Sequence, residues 1–194
     1  MLQKITCAAL CLLLIAGCKN KDDDDARFSN LECIQMADQN GNPIGVHPAN
    51  CDFAGQWKQS TLSADDLSYL EFSDTITGNL AQSATIEKAL AYPNPIAVDN
   101  VQFYTFLVDE DADLKLKLAI VDQEGNAIQQ IAHRLTKTDN RSLALLLPAD
   151  LYTIGEFYRV FYQVSGANGQ VFFEGFGNIL VCQNAPLPNI EACT

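Results

Sequence analysis

Three aspartates at alternate positions, Asp109, Asp111 and Asp113, have a type and spacing that could do chemistry. Carboxylates two residues apart can converge on one hard cation, as they do at the opening of a calcium loop. The pattern then departs from a complete loop. Leu114 stands where the sharp turn needs Gly, and Ile120 where a bidentate Glu would close the shell. The calcium reading therefore competes with that of a hairpin turn kept soluble by acids. Cys33, His47 and Cys51 could supply zinc ligands, but no second close pair accompanies them, and thiols in an oxidising compartment form disulfides instead. Nucleophilic catalysis needs a base beside a Ser or Cys. The two histidines, His47 and His133, lie in no such motif, and there is no Gly-x-Ser-x-Gly, His-Glu-x-x-His or phosphate loop. The 24 acids could include a pair suited to sugar hydrolysis, but no spacing singles out two of them. No catalytic residue and no cofactor is assigned, and a carboxylate-dependent hydrolase ranks last among the functional readings.

Aromatic side chains offer a different chemistry, that of recognition. Tyr152, Phe157, Tyr158, Phe161, Tyr162, Phe172, Phe173 and Phe176 crowd the C-terminal third. Alternation along a strand puts Tyr158 and Tyr162 on one face and Phe157 and Phe161 on the other, so one set is core and the other is exposed or covered by a second layer. Solvent-facing Phe157, Phe161 and Phe173 would form an apolar partner patch; packing on both faces is the competing and favoured expectation. Trp57 is expected to be buried.

The first 25 residues carry an address. Lys4 precedes an apolar run from Ile5 to Gly17, which is too short for the roughly 20 residues that span a bilayer. With small residues at its end, the run reads as a secretory signal over residues 1–17. Leu14-Ile15-Ala16-Gly17-Cys18 resembles the bacterial lipobox, which implies that Cys18 is acylated and becomes the first residue of the mature chain. Each buried CH2 contributes roughly 0.8 kcal/mol, so two or three acyl chains hold a protein at a membrane almost permanently. Residues 18–27 read as an acidic tether, because four consecutive Asp repel one another and cannot enter a core. Lys21, Asp22, Asp23, Asp24 and Asp25 also resemble the Lys-then-acidic export signal of Bacteroidota surface lipoproteins. The resemblance implies an outer-membrane protein facing the cell exterior. Asp74-Thr75-Ile76 is similar to the short O-glycosylation acceptor of the same bacteria.

The formal net charge is −12, and loss of Lys4 with the signal makes it −13. This charge, with no Lys/Arg cluster, excludes nucleic acid as a partner. Cys7 and Cys11 leave with the signal, so Cys33, Cys51, Cys182 and Cys193 remain. Of the three possible pairings, Cys33–Cys51 with Cys182–Cys193 is preferred, because each closes a short loop and contributes about 3 kcal/mol.

Elements able to position these groups follow from periodicity. Leu114-Lys115-Leu116-Lys117-Leu118-Ala119-Ile120 alternates strictly, with leucines and isoleucine inward and lysines outward. Val101–Val108, Ser142–Leu147, Tyr158–Val164 and Val171–Val181 read as further strands, separated by turn residues at 122–126 and 167–170. A hairpin is expected at Asp38-Gln39-Asn40-Gly41-Asn42, and a short helix near Ser63 with Asp66 in a capping arrangement. The 38–44 stretch echoes 122–128, which fits either two related sandwich units or, as the favoured reading, the residues that any hairpin turn demands.

Tyr92-Pro93-Asn94-Pro95, the strand after it, the acidic turn and the Leu114 strand together resemble the immunoglobulin-like modules of type IX secretion C-terminal domains and hook-capping proteins. The resemblance covers Tyr92 to about Cys182 and implies an immunoglobulin-like fold. The sorting role is not carried over, because the chain continues past its last strand and the lipobox supplies another route outward.

The expected class is mainly β: an immunoglobulin-like β-sandwich over residues 92–182, an irregular disulfide-bearing segment over 28–91 and a tail over 183–194. The leading functional expectation is a lipid-anchored, non-catalytic binding or accessory module with a membrane anchor and a protein or glycan partner. A structural subunit of an outer-membrane export or motility assembly is the alternative.

Overall fold

Leu114, Leu116, Leu118 and Ile120 are all fully buried, as their alternation requires, and the sheet they belong to organises the molecule. The computed structural model describes residues 27–109, 111–184 and 193. The secretory signal, Cys18 and Lys21 to Asp25 lie outside the described residues.

In chain order the elements are β1 (Ile34–Ala37), β2 (Pro43–His47), α1 (Ala64–Ser68), β3 (Ile86–Tyr92), β4 (Ile96–Ala97), β5 (Val101–Val108), β6 (Leu114–Val121), β7 (Ala127–Leu135), β8 (Ser142–Leu146), β9 (Phe157–Ser165) and β10 (Val171–Cys182). A five-stranded sheet has the order β4-β10-β9-β6-β7, a three-stranded sheet has the order β3-β5-β8, and β1 and β2 form a separate hairpin. All these pairings are antiparallel except that of β4 with β10. The sheets face each other as a β-sandwich. Leu116 and Leu118 of β6, Tyr162 and Val164 of β9 and Phe173 of β10 meet Ala89 of β3, Tyr104 and Phe106 of β5 and Leu143 of β8 in one core.

Two hairpin turns are built alike from like residues. Asp38 accepts the Asn42 amide N–H and Nδ2 at 2.9 Å each, and Asp122 accepts the same two donors of Asn126 at 2.7 and 2.9 Å. Gly41 and Gly125 take φ of 79° and 87°, a region that L side chains avoid. The sequence echo is thus turn chemistry. Helix α1 begins as expected, with Ser63 and Asp66 forming both halves of a capping box.

The segment before Tyr92 is integral to the sandwich. β3 pairs with β5 along Ile86–Tyr92, so the sheet begins upstream of the boundary that the sequence suggests. Trp57 enters the inter-sheet core, stacked on Tyr162 with ring centroids 5.9 Å apart. Phe28, Leu31, Leu62, Tyr69 and Leu70 form a layer over the other face of the large sheet, against Ala119, Val121 and Phe161. Lys117 is covered as well: its ammonium donates to the Leu70 and Phe72 carbonyls.

A buried polar network fastens this layer. Arg159 donates through Nε to Asn178 Oδ1 (2.7 Å) and through an Nη to the Ser29 carbonyl (2.9 Å), with its guanidinium over the Phe28 and Phe176 rings. Asn178 Nδ2 donates to the carbonyls of Asn30 and Cys33, and Gln56 Nε2 also donates to Cys33. Asn94, from Tyr92-Pro93-Asn94-Pro95, donates to the Gln35 and Asn178 carbonyls and accepts the Leu180 N–H. Burial pulls the Arg159 guanidinium down to about 10, and the negative charge of Asp66 offsets only part of that effect.

Candidate interaction face

In this structure the aspartates of the triplet are engaged with neighbouring groups and the cysteines with one another. Asp109 accepts the Thr85 N–H, Asp111 pairs with Lys137, and Asp113 pairs with Arg134 at 3.1 Å and with Arg141 at 3.9 Å. Lys137 holds the Asp111 carboxyl below its usual range. Cys33–Cys51 and Cys182–Cys193 are disulfides with Cα separations of 5.6 and 4.5 Å, so no thiolate of Cys33 or Cys51 is left to bind zinc beside His47. Among the described residues no group of three or more His, Cys, Asp and Glu could hold a metal ion.

Phe157, Phe161 and Phe173 do not form a solvent-facing patch. Phe161 and Phe173 are 1% and 2% exposed, on opposite faces of the large sheet. Phe173 joins Tyr158 and Tyr162 between the sheets, whereas Phe161 lies beneath Tyr69, with ring centroids 5.4 Å apart. Phe157 is half-buried, packed against the cluster of Phe161 and that of Cys182 and Cys193. Packing on both sides, the favoured expectation, is what the fold provides. Thr75 is exposed in a stretch without regular secondary structure, while Asp74 turns inward to Lys115 and Lys117.

A cleft of about 340 Å³ opens between the 122–126 turn and the chain entering β9, lined by Asp122, Glu124, Glu156, Ile128, Leu151 and Tyr158, among others. Asp122 is occupied by Asn126, Glu156 accepts from Gln123, and neither histidine lines the cleft. Among the described residues no nucleophile and base are brought together there.

The surface that departs most from ordinary patterning is the outer face of β3-β5-β8. Whereas a layer covers the outer side of the large sheet, this one is met only along β3, where Gly41 of the β1–β2 turn lies against the Tyr92 ring, and its β5 and β8 side chains stand exposed. Alternation on β5 places Gln102, Tyr104 and Phe106 inward and Val101, Phe103, Thr105 and Leu107 outward. The inward Gln102 is accommodated by donating to the Pro93 carbonyl and accepting the Tyr104 hydroxyl. On the outer face Val101 is paired with Leu146, and Phe103 lies between Tyr92 and Ala144. Exposures of 41% for Val101, 36% for Phe103, 39% for Leu107 and 50% for Leu146 put four large apolar side chains on one sheet face. Tyr92 and Phe103 stack with ring centroids 5.5 Å apart. The Thr105 hydroxyl donates to Tyr92 and lies 2.6 Å from that of Ser142, so the polar groups at the centre satisfy one another.

Sequence reasoning missed this face, although Phe103-Tyr104-Thr105-Phe106-Leu107-Val108 and Leu145-Leu146-Leu147 carry its signal. Both runs are apolar on both faces, as strands covered on both sides are. Here much of one side is left open.

No family model and no curated protein matches the chain. Among solved structures, one similar chain is a crystal structure from Bacteroides fragilis assigned provisionally as a beta-galactosidase, at 16% identity and a TM-score of 0.29. The match covers 51% of this chain and 16% of that one, so it spans about a sixth of the larger protein.

Proposed function

We propose that this chain is a lipid-anchored envelope lipoprotein, a non-catalytic binding or accessory module that docks a polypeptide through the outer face of β3-β5-β8. The observation that carries the docking reading is the exposure of Val101, Phe103 and Leu146 close together, with Leu107 beyond the buried Thr105, on a sheet whose opposite face is core. Apolar faces of this kind mark association sites on soluble domains. The lipobox at Cys18 and the Lys21-to-Asp25 stretch support an outer-membrane anchor with the module held outward, and the Tyr92-Pro93-Asn94-Pro95 resemblance supports an immunoglobulin-like sandwich. A second reading, a structural subunit of an outer-membrane export or motility assembly, draws on the breadth of the face, whose exposed apolar side chains lie on both β5 and β8.

Cross-linked affinity capture from intact cells, with the anchor retained, tests the docking reading. Wild type is compared with a Phe103→Ser/Leu146→Ser variant, whose substitutions lie on exposed positions. A partner lost with the variant is expected; recovery of the same proteins with both chains, or of the chain alone, refutes it. Co-purification at fixed stoichiometry after cross-linker omission separates a permanent subunit from a transient module. Cys18→Ala is expected to release the protein from the membrane or leave it unprocessed, and external protease is expected to degrade the wild type in intact cells.

A further inference from the structure

The charges around the docking face point to the chemistry of its occupant. At the Val101–Leu146 end, Asp99 donates its N–H to the Leu147 carbonyl and accepts the Ala149 N–H, which places it beside exposed Asp150. At the Leu107 end stand Asp109, held to Thr85, Asp139, held to Thr136, and Glu87 in the irregular register between Ile86 and Lys88. All five carboxylates are exposed, and none takes part in the ion pairs among the described residues, which use Asp74, Asp111 and Asp113. Lys88, opposite Leu107, is the one base that strands β3, β5 and β8 contribute.

We infer that the occupant is a polypeptide segment with two or three large apolar side chains at its centre and Lys or Arg at both ends. The inference rests on the reading of β3-β5-β8 as a docking face and adds the charge of what docks. The distance between the acidic ends follows from strand geometry: six residues from Val101 to Leu107 span about 20 Å. An extended segment covers that length with about six residues, and a helix with about thirteen. A second copy of this chain is a poor occupant, because it would bring the same acids to both ends in a molecule of net charge −12. A glycan is poorly served, since the face offers few polar groups and the Thr105 hydroxyl is engaged with those of Ser142 and Tyr92.

The test is selection from a random dodecapeptide display library on the full chain, with counter-selection on the Phe103→Ser/Leu146→Ser variant, which keeps every charge. Enriched peptides are expected to carry apolar centres and a net positive charge. Their association is expected to slow about threefold or more in an Asp99→Asn/Asp139→Asn/Asp150→Asn variant, with dissociation little changed, because rim charges act mainly on the encounter. Face-dependent enrichment of neutral or acidic peptides overturns the charge inference and leaves the docking reading standing. Failure to enrich any peptide over the Phe103→Ser/Leu146→Ser variant overturns the docking reading, and this inference with it.

Discussion

Replacing Arg159 with Ala is expected to destabilise the whole domain, not only the layer that Arg159 fastens. The substitution leaves Asn178 Oδ1 buried without its charged donor, which costs about 1.5–3 kcal/mol. The Ser29 carbonyl loses a second bond, and the Phe28 and Phe176 rings lose a cation worth about 1 kcal/mol. Against these stands relief of the desolvation that pulls Arg159 down to about 10. The net loss is about 3 kcal/mol, or roughly 6–12 °C in Tm for a domain of this size. Arg159→Lys keeps the charge but not the fork that reaches both acceptors, and is expected to lose about 2 kcal/mol. Urea unfolding can be followed by far-UV circular dichroism and by Trp57, the one tryptophan of the chain, which belongs to the N-terminal segment yet sits in the inter-sheet core. Both probes are expected to report one coincident transition in the wild type and in each variant. A loss below about 0.5 kcal/mol in Arg159→Ala, or a Trp57 transition separated from that of the sheet, would refute the argument that layer and sandwich form one cooperative unit.

Three further outcomes follow from local geometry. Gly177→Ala places a Cβ 2.0 Å from Cε2 of Trp57, and is expected to cost about 3 kcal/mol or more in urea denaturation, with a shifted Trp57 emission. Burial favours the neutral form of Asp74, but Lys115, the Ile76 N–H and Lys117 together outweigh it and hold the carboxyl below its usual value of 3.8. The stabilisation it gives is therefore present above that value and lost as pH falls through the lowered one; Asp74→Asn is expected to remove about 1 kcal/mol near neutrality and to flatten the acid limb of a Tm-versus-pH profile. Cys33→Ser/Cys51→Ser opens a bridge of sequence separation 18 and is expected to lose roughly 3 kcal/mol, with protease cutting first between residues 33 and 51; unchanged Tm under reducing conditions would count against it.

Local chemistry was legible wherever the interacting residues are close in sequence. The Ser63–Asp66 box, the Asp38–Asn42 and Asp122–Asn126 turns and both disulfides join residues at most 18 apart, and each follows from residue type and spacing. Strands β5, β6, β8, β9 and β10 were likewise visible through alternation or apolar runs. β3 and β7 were not, because β3 has a register irregularity and β7 is an edge strand bearing Gln129, Gln130, His133 and Arg134, so neither alternates cleanly.

By itself the sequence determined that the chain is mainly β, which side chains share a strand face, where its turns fall, which cysteines can close short loops, and that its charge is strongly negative. Period-two alternation distinguishes two faces of a strand, but says nothing about which face another part of the chain will cover. Tertiary structure alone decided that Phe161 lies beneath Phe28 and Tyr69, that Trp57 joins a core built mostly after residue 86, and that Arg159 reaches back to Ser29. It also decided that Phe103 and Leu146 face outward without a cover among the described residues. The physical reason is the same in each case: burial depends on contacts between residues far apart in the chain, and a long-range contact leaves no spacing in the sequence from which to read it.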